Sequence, residues 1–278
     1  MNLTNYHSHS NFCDGKAPLE DFVKSAIAAG FTAYGVSSHA PLPFSTRWTM
    51  EKEQVPDYLR EIERLKGKYA GQIELYAGME IDYLDEKSNP ANDYFQHLPL
   101  DYRIGSVHLV YTEKGEVIDT DTNPDNFQLL LQQHFAGDLQ RMVRCYYESS
   151  MRMVEKGGFD FIGHADKIAY NAEFCQSGST ESVWCSKMRN ELFDLIAEKG
   201  VIMEINTKAW LKKNCFFPMQ RYWADILKRH IPVIVNSDVH LPELVNAGRP
   251  EALKQLKDIG FTTICEFHHG VWQEVGIQ

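Results

Sequence analysis

Seven short apolar runs, many with β-branched residues, recur along the chain at residues 3–8, 33–38, 74–80, 102–107, 159–163, 201–206 and 233–237. Each is followed by a polar turn, and most by a stretch with apolar residues at i, i+3 and i+4, the spacing that lines one face of a helix. The first such stretch starts at Pro18, carries Leu19, Phe22, Val23, Ala26 and Ile27 on one face and stops at Gly30, as an N-terminal proline and a C-terminal glycine predict. Further helices are expected over 52–69, 124–157, 181–199, 219–230 and 249–259. Strands alternating with helices build parallel sheets. Seven repeats with no Gly/Ser/Pro-rich linker point to a single α/β domain over residues 1–278, a closed or nearly closed (β/α)7 barrel in place of the alternative, an open doubly wound sheet. In barrels the loops after the strands build the active site, so the long connections 40–51 and 81–101 are expected to be substrate loops.

The 278 residues suffice for a full core, and a charged fraction of 24% against 44% hydrophobic is ordinary for a globular chain. Twenty-eight basic against 38 acidic residues give a net charge of −10, which repels long polyanions and argues against a nucleic-acid partner. No basic-then-apolar leader opens the sequence and no uninterrupted apolar stretch approaches a membrane span, so a cytoplasmic protein is expected. Its six cysteines are scattered without a CxxC pair and read as reduced thiols. Oligomeric state is not legible.

The histidines are where the chain departs from an ordinary enzyme. Of 11, six fall at or just after the C-terminal ends of the expected strands: His7, His9, His39, His108, His164 and His240. The carboxylates Asp14, Glu80 and Asp238 fall at the same level. Residues i and i+2 of a strand point the same way, about 6.5–7 Å apart, so the pairs His7/His9 and Asp238/His240 can each converge on one ion. Imidazole with carboxylate suits Zn, Mn or Fe, and the absence of cysteine from the set argues against a thiolate-rich structural zinc. Nine donors exceed the coordination of one ion, so two or three divalent ions with a bridging carboxylate are expected. His97, His134, His230, His268 and His269 receive no role.

Several segments then resemble a known family. Tyr6-His7-Ser8-His9, Cys13-Asp14-Gly15, Val36-Ser37-Ser38-His39-Ala40-Pro41, Gly78-Met79-Glu80-Ile81-Asp82, Gly105-Ser106-Val107-His108, Ile162-Gly163-His164-Ala165-Asp166 and Asn236-Ser237-Asp238-Val239-His240 are similar to the motifs of the PHP (polymerase and histidinol phosphatase) family. The loop from His39 through Thr46-Arg47-Trp48-Thr49-Met50 looks most like the histidinol-phosphatase branch. The resemblance implies a distorted (β/α)7 barrel and a trinuclear site. In that site His7, His9, Glu80 and Asp238 would hold one metal, Glu80, His108 and His164 a second, and Asp14, His39 and His240 a third. It also implies hydrolysis of L-histidinol phosphate, or of another small phosphorylated metabolite.

Phosphate-monoester hydrolysis needs enhancements approaching ~10²¹, far beyond the ~10²–10⁴ of one acid or base. Clustered cations that activate a bound water can supply the rest, so a metal-bridging hydroxide is the expected nucleophile, with Glu80, Asp238 and His240 as the central groups. Arg47, Lys167 and Lys208 are the candidates for holding the phosphate, with Arg249 a weaker fourth, and Glu204 and Asp82 for a cationic substrate end. Covalent routes are poorly supported. Asp119-Thr120-Asp121-Thr122-Asn123 departs from the aspartyl-phosphatase DxDxT/V motif and stands outside the barrel repeat after an expected hairpin turn at 113–116. An amidohydrolase would place a modified lysine on strand four, whereas the evident bridge here is Glu80 on strand three. A metal-binding module without turnover would be expected to have lost ligands, and none of the nine is missing.

Overall fold

The computed structural model describes residues 2–278. All seven expected runs form strands: β1 (Thr4–Asn5), β2 (Ala33–Val36), the pair β3 (Glu74–Ala77) and β4 (Glu80–Asp82), β5 (Ile104–Ser106), β8 (Phe161–Ile162), β9 (Ile202–Asn206) and β10 (Val233–Asn236). Two hairpins are added to them. One is β6 (Leu109–Tyr111) with β7 (Val117–Asp119), and the other is β11 (Thr263–His268) with β12 (Val271–Gly276). Helices α1 (Leu19–Ala28), α2 (Val55–Lys68), α3 (Asp93–Gln96), α4 (Pro124–Phe135), α5 (Leu139–Lys156), α6 (Ile168–Cys175), α7 (Val183–Lys199), α8 (Trp210–Lys213), α9 (Trp223–Lys228) and α10 (Arg249–Ile259) fill the connections.

The parallel ladders run β1–β2–β3 and β4–β5–β8–β9–β10. Two bridges join them into a ring, Ser8 with Val239 and His39 with Glu80. The third run breaks at Gly78-Met79, so its first half pairs with β2 and its second half with β5. The seam between first and last strands is stitched largely by side chains: Asn236 Oδ1 accepts from the Tyr6 amide at 2.8 Å, and Asn5 Oδ1 from the Ser237 amide at 2.7 Å. A broken third strand and a side-chain seam are the distortion of this (β/α)7 barrel.

Why the break falls at Gly78 is a matter of space. Tyr102 is fully buried in the barrel floor and donates its hydroxyl to the Tyr6 carbonyl at 2.6 Å. A β-carbon on Gly78 would lie 2.2 Å from its Cζ, and one on Gly35 2.2 Å from its Oη, so both glycines make room for the ring. Tyr6, Tyr76, Tyr102, Phe161 and Phe267 form an aromatic floor at the N-terminal mouth. The hairpin β11–β12 closes that mouth: Phe267 exchanges hydrogen bonds with the Tyr6 hydroxyl, and Trp272 donates to Asp160 at 2.9 Å. This C-terminal hairpin lies outside the strand–helix repeat of the barrel.

Two sequence expectations are corrected. The helix over 124–157 is two, because Ala136 and Gly137 adopt φ of 52° and 80° and Asp138 caps α5 by accepting from the Arg141 amide at 3.0 Å. Segment 81–101 is not a substrate loop beyond its first residues. Arg103 binds the carbonyls of Phe95, Gln96 and Leu98, and Gln96 binds that of Gly158, which fastens the segment to the N-terminal side of the barrel. Gly78→Ala should lower stability by about 1–3 kcal/mol, the range for overpacking a rigid core. Chemical denaturation reads this directly, and an unchanged midpoint would mean the Tyr102 ring can move aside.

Candidate metal centre

The nine donors singled out in the sequence come together at the C-terminal ends of the strands. Their ligating atoms fall into four overlapping groups, each within 4.8 Å: His9/Asp14/His39/His240, His7/His164/Asp238, His7/His9/Glu80 and His39/Glu80/His108. Glu80 is the hub. Its Oε2 lies 3.1 Å from His7 Nε2, 3.5 Å from His9 Nε2 and 2.9 Å from His39 Nδ1, while its Oε1 lies 2.9 Å from His164 Nε2 and 3.5 Å from His108 Nε2. Asp238 Oδ1 is 3.1 Å from His9 Nε2, and Asp14 Oδ1 is 3.2 Å from His240 Nε2 at the outer rim.

Local backbone places these groups. His164 and Asp238 hold φ of 26° and 47°, a left-handed region that costs a non-glycine residue free energy and is retained where surroundings over-determine it. Here the His164 amide donates to Glu204 Oε2 at 3.0 Å, and Asn206 donates to Asp238 Oδ2 at 3.1 Å.

Two buried carboxylates orient imidazoles. Glu204 contacts His7 Nδ1 at 2.7 Å and also accepts from Asn206 and Asn236, each at 3.0 Å. Asp82 contacts His108 Nδ1 at 3.0 Å and accepts from the His108 amide at 2.8 Å. A carboxylate on Nδ1 fixes the proton there and turns the Nε2 lone pair toward Glu80. Glu204 and Asp82 are therefore engaged by the histidines, which corrects the expectation that they meet a cationic substrate end.

The electrostatics favour a cation at the centre. Burial pushes the Glu80 carboxyl up, but His7, His39 and His108 hold it well below the usual range. Burial and the neighbouring His240 and His39 keep the His9 imidazole well below its ordinary value. Stacked rings at 4.1 Å, His9 on His240, cannot both carry charge without repulsion. Burial lowers His7 and His108, but Glu204 and Glu80 raise the first and Asp82 and Glu80 the second above the ordinary imidazole value, so the centre attracts positive charge. His7 Nε2, His9 Nε2, His39 Nδ1, Asp14 Oδ1 and Glu80 Oε2 are buried without a hydrogen-bond partner. An unsatisfied buried polar atom costs about 1–3 kcal/mol. Divalent ions remove that cost at all five, so the donor set fits metal ions.

Lys208 Nζ sits 3.1 Å from Asp238 Oδ1 and 3.4 Å from His240 Nε2. Lys167 Nζ lies 3.0 Å from Asp121 and 3.9 Å from Asp238. Burial lowers the Lys167 ammonium, but Asp121 and Asp238 outweigh burial and hold it above the usual lysine range. Arg47 is exposed and forms no hydrogen bond or ion pair among the described residues; its neighbour Trp48 lines the cavity instead, with its ring against His39 and His108. Arg249 is excluded as a phosphate ligand: its guanidinium is spent on the Asn2 carbonyl at 2.7 Å, Thr4 Oγ1 at 3.1 Å and the Val235 carbonyl.

A cavity of about 160 Å³ opens over the centre, lined by Asp14, His39, Trp48, His108, Asp119, Asp121, Lys208 and His240. Trp48, Asp119 and Asp121 were not expected there. The motif 119–123, set aside because it stands outside the barrel repeat, reaches the site because the β6–β7 hairpin folds back and Thr120 donates twice to the His108 carbonyl, each at 2.8 Å. The only signal in sequence was the pair of aspartates at i and i+2 after a hairpin turn.

Comparison with known proteins agrees with this architecture. A probable histidinol-phosphatase of Deinococcus radiodurans is 26% identical over 276 residues, covering 96% of this chain and 97% of its own length. A probable histidinol-phosphatase of Schizosaccharomyces pombe is 28% identical over 283 residues, covering 95% of this chain and 89% of its own. The crystal structure of histidinol phosphate phosphatase from Lactococcus lactis, complexed with zinc, L-histidinol and phosphate, superposes with a TM-score of 0.74 at 20% identity over 98% of this chain and 99% of that one, and so shares its fold. No helix among the described residues is long and apolar enough to cross a membrane. The model of the PHP domain matches residues 5–208, from the first barrel strand to the lysine beside Asp238, and the chain belongs to the PHP domain family.

Proposed function

We propose that this chain is a divalent-metal-dependent phosphatase that hydrolyses L-histidinol phosphate to L-histidinol and phosphate, a step of histidine synthesis, with residues 1–278 working as one unit. The observation that carries the reading is the meeting of nine donors from all parts of the chain around Glu80. Its support in substrate comes from relatives named histidinol-phosphatase that align over nearly the whole chain, and from the Lactococcus enzyme in complex with zinc, L-histidinol and phosphate.

His7, His9, Glu80 and Asp238 would hold one ion, Glu80, His108 and His164 a second, and Asp14, His39 and His240 a third, with zinc the first choice and manganese or iron compatible with the same donors. When bound, such ions lower the pKa of a water toward neutrality and offset the charge of the phosphoryl oxygens. The chain's own residues do the rest. Glu204 and Asp82 hold the protons of His7 and His108 on Nδ1 and keep those rings from turning. Lys208, tied to Asp238 and His240 at the cavity wall, positions a phosphoryl oxygen, and Lys167 adds positive charge from behind. His240, on the cavity side of Asp238, faces Asp14, and burial and Lys208 keep its imidazole below the ordinary value, which suits it to hold the third ion. Trp48 covers His39 and His108 and keeps bulk water from that side.

The metal-loaded protein should release phosphate from L-histidinol phosphate, and removing the metal with a chelator should abolish release until Zn or Mn is restored. Turnover that survives complete metal removal would sink the reading. Elemental analysis should find two to three ions per chain; Glu80→Ala should lose at least two, whereas Asp14→Ala, at the rim, should lose at most one, and equal losses would contradict the assignment. Lys208→Ala should keep its metal and lower kcat/KM by about 10²-fold, the scale for removing one group that stabilises transition-state charge.

A further inference from the structure

The cavity over the metal centre holds three carboxylates, and two have partners. Asp14 faces His240 at 3.2 Å, and Asp121 is paired with Lys167 at 3.0 Å. The third, Asp119, has no cationic partner among the described residues. Its Oδ1 accepts the Asp121 amide at 2.8 Å, which fixes the side chain within its own turn and leaves Oδ2 without a hydrogen bond there.

Asp119 is also held rigidly. It pairs with Leu109 across the hairpin, and the next residue, Thr120, donates both its amide and its hydroxyl to the His108 carbonyl. Asn171 Nδ2 binds the Thr122 carbonyl at 2.8 Å and closes the far side of the turn. The carboxylate is therefore fixed by the turn that is anchored on His108, in the same cavity wall as Trp48, whose ring packs against His108. Burial and the neighbouring Asp121 push its carboxyl above the ordinary aspartate range, and the opposing pull of His108 does not cancel them. A half-buried carboxylate next to another of the same charge is relieved by a cation, and none of the lysines or arginines among the described residues forms an ion pair with it.

We infer that Asp119 is the specificity residue of this site, binding an ammonium that the substrate carries two carbons from the ester oxygen, while the phosphoryl group lies toward Lys208. The inference rests on the phosphatase reading above and adds which feature of the leaving group is read. An aminoalkyl phosphate meets positive charge at its phosphate end and Asp119 at its amine end, with the Trp48 face available to whatever ring or chain follows. A neutral phosphate ester of the same length gains only the first of these.

The test compares O-phosphoethanolamine, which has the ammonium at that distance, with ethyl phosphate, which lacks it, alongside L-histidinol phosphate, all on the metal-loaded protein. Wild type should favour the amine ester. Asp119→Asn, which keeps the acceptor for the Asp121 amide and so spares the turn, should cut that preference by about 10-fold or more, the worth of one hydrogen bond to a charged group. The loss should appear in KM, and Asp119→Glu should restore part of it. Calorimetric binding of the two esters gives the same ratio independently of turnover. A preference within twofold of wild type in Asp119→Asn, a parallel fall for both esters, or a wild type indifferent to the amine would overturn the inference. If wild type prefers the amine ester and Asp119→Asn abolishes that preference, yet L-histidinol phosphate is not hydrolysed, Asp119's role stands and the named substrate fails.

Discussion

One carboxylate, Glu80, organises the upper half of the molecule. Five imidazoles from four strand ends point at its two oxygens, and it is wholly withdrawn from water. A buried charge of that kind is tolerated only when paired or when it coordinates a metal. Glu204 and Asp82 occupy the far ring nitrogens of His7 and His108, so the Nε2 atoms that face Glu80 take either a second proton or a metal ion. Divalent cations between the imidazole nitrogens and the carboxylate fit this donor set. The barrel thus gathers buried negative charge that positive charge at the centre offsets, and the left-handed backbone at His164 and Asp238 belongs to the same arrangement.

The lower half answers to a different constraint, the filling of a barrel floor. Tyr102 occupies it, Gly35 and Gly78 yield space to it, and its hydroxyl binds the carbonyl immediately before His7. The hairpin β11–β12 seals the opening below through Phe267 and Trp272. Packing at the floor and charge at the top therefore meet in the short segment Tyr6-His7. The break in the third strand serves both, since Gly78 clears Tyr102 while Glu80, two residues on, is turned to face the centre.

Much of this is legible along the chain. Short apolar, often β-branched runs alternating with helical spacing announce a parallel barrel, and the convergence of His7, His9, His39, Glu80, His108, His164, Asp238 and His240 on one face follows from strand ends alone. Reading fails where position depends on contacts rather than period. Arg249 follows a strand as a phosphate-binding arginine would, yet its guanidinium is drawn to the Asn2 and Val235 carbonyls. Arg47 and Trp48 are adjacent, and only packing against His39 and His108 selects the ring. Glu204 and Asp82 look in sequence like carboxylates free to meet a ligand, and they are hidden behind the histidines they orient.

The sequence by itself determined the family, the barrel and the identity of the nine donors, because strand periodicity fixes which side chains share an end and their chemistry fixes what they can bind. Tertiary structure decided how those donors are divided between the two oxygens of Glu80, which lysines stand beside Asp238, and that the hairpin bearing Asp119 arches over His108. These depend on distances between segments far apart in the chain, set by packing and side-chain hydrogen bonds, and no local pattern encodes them.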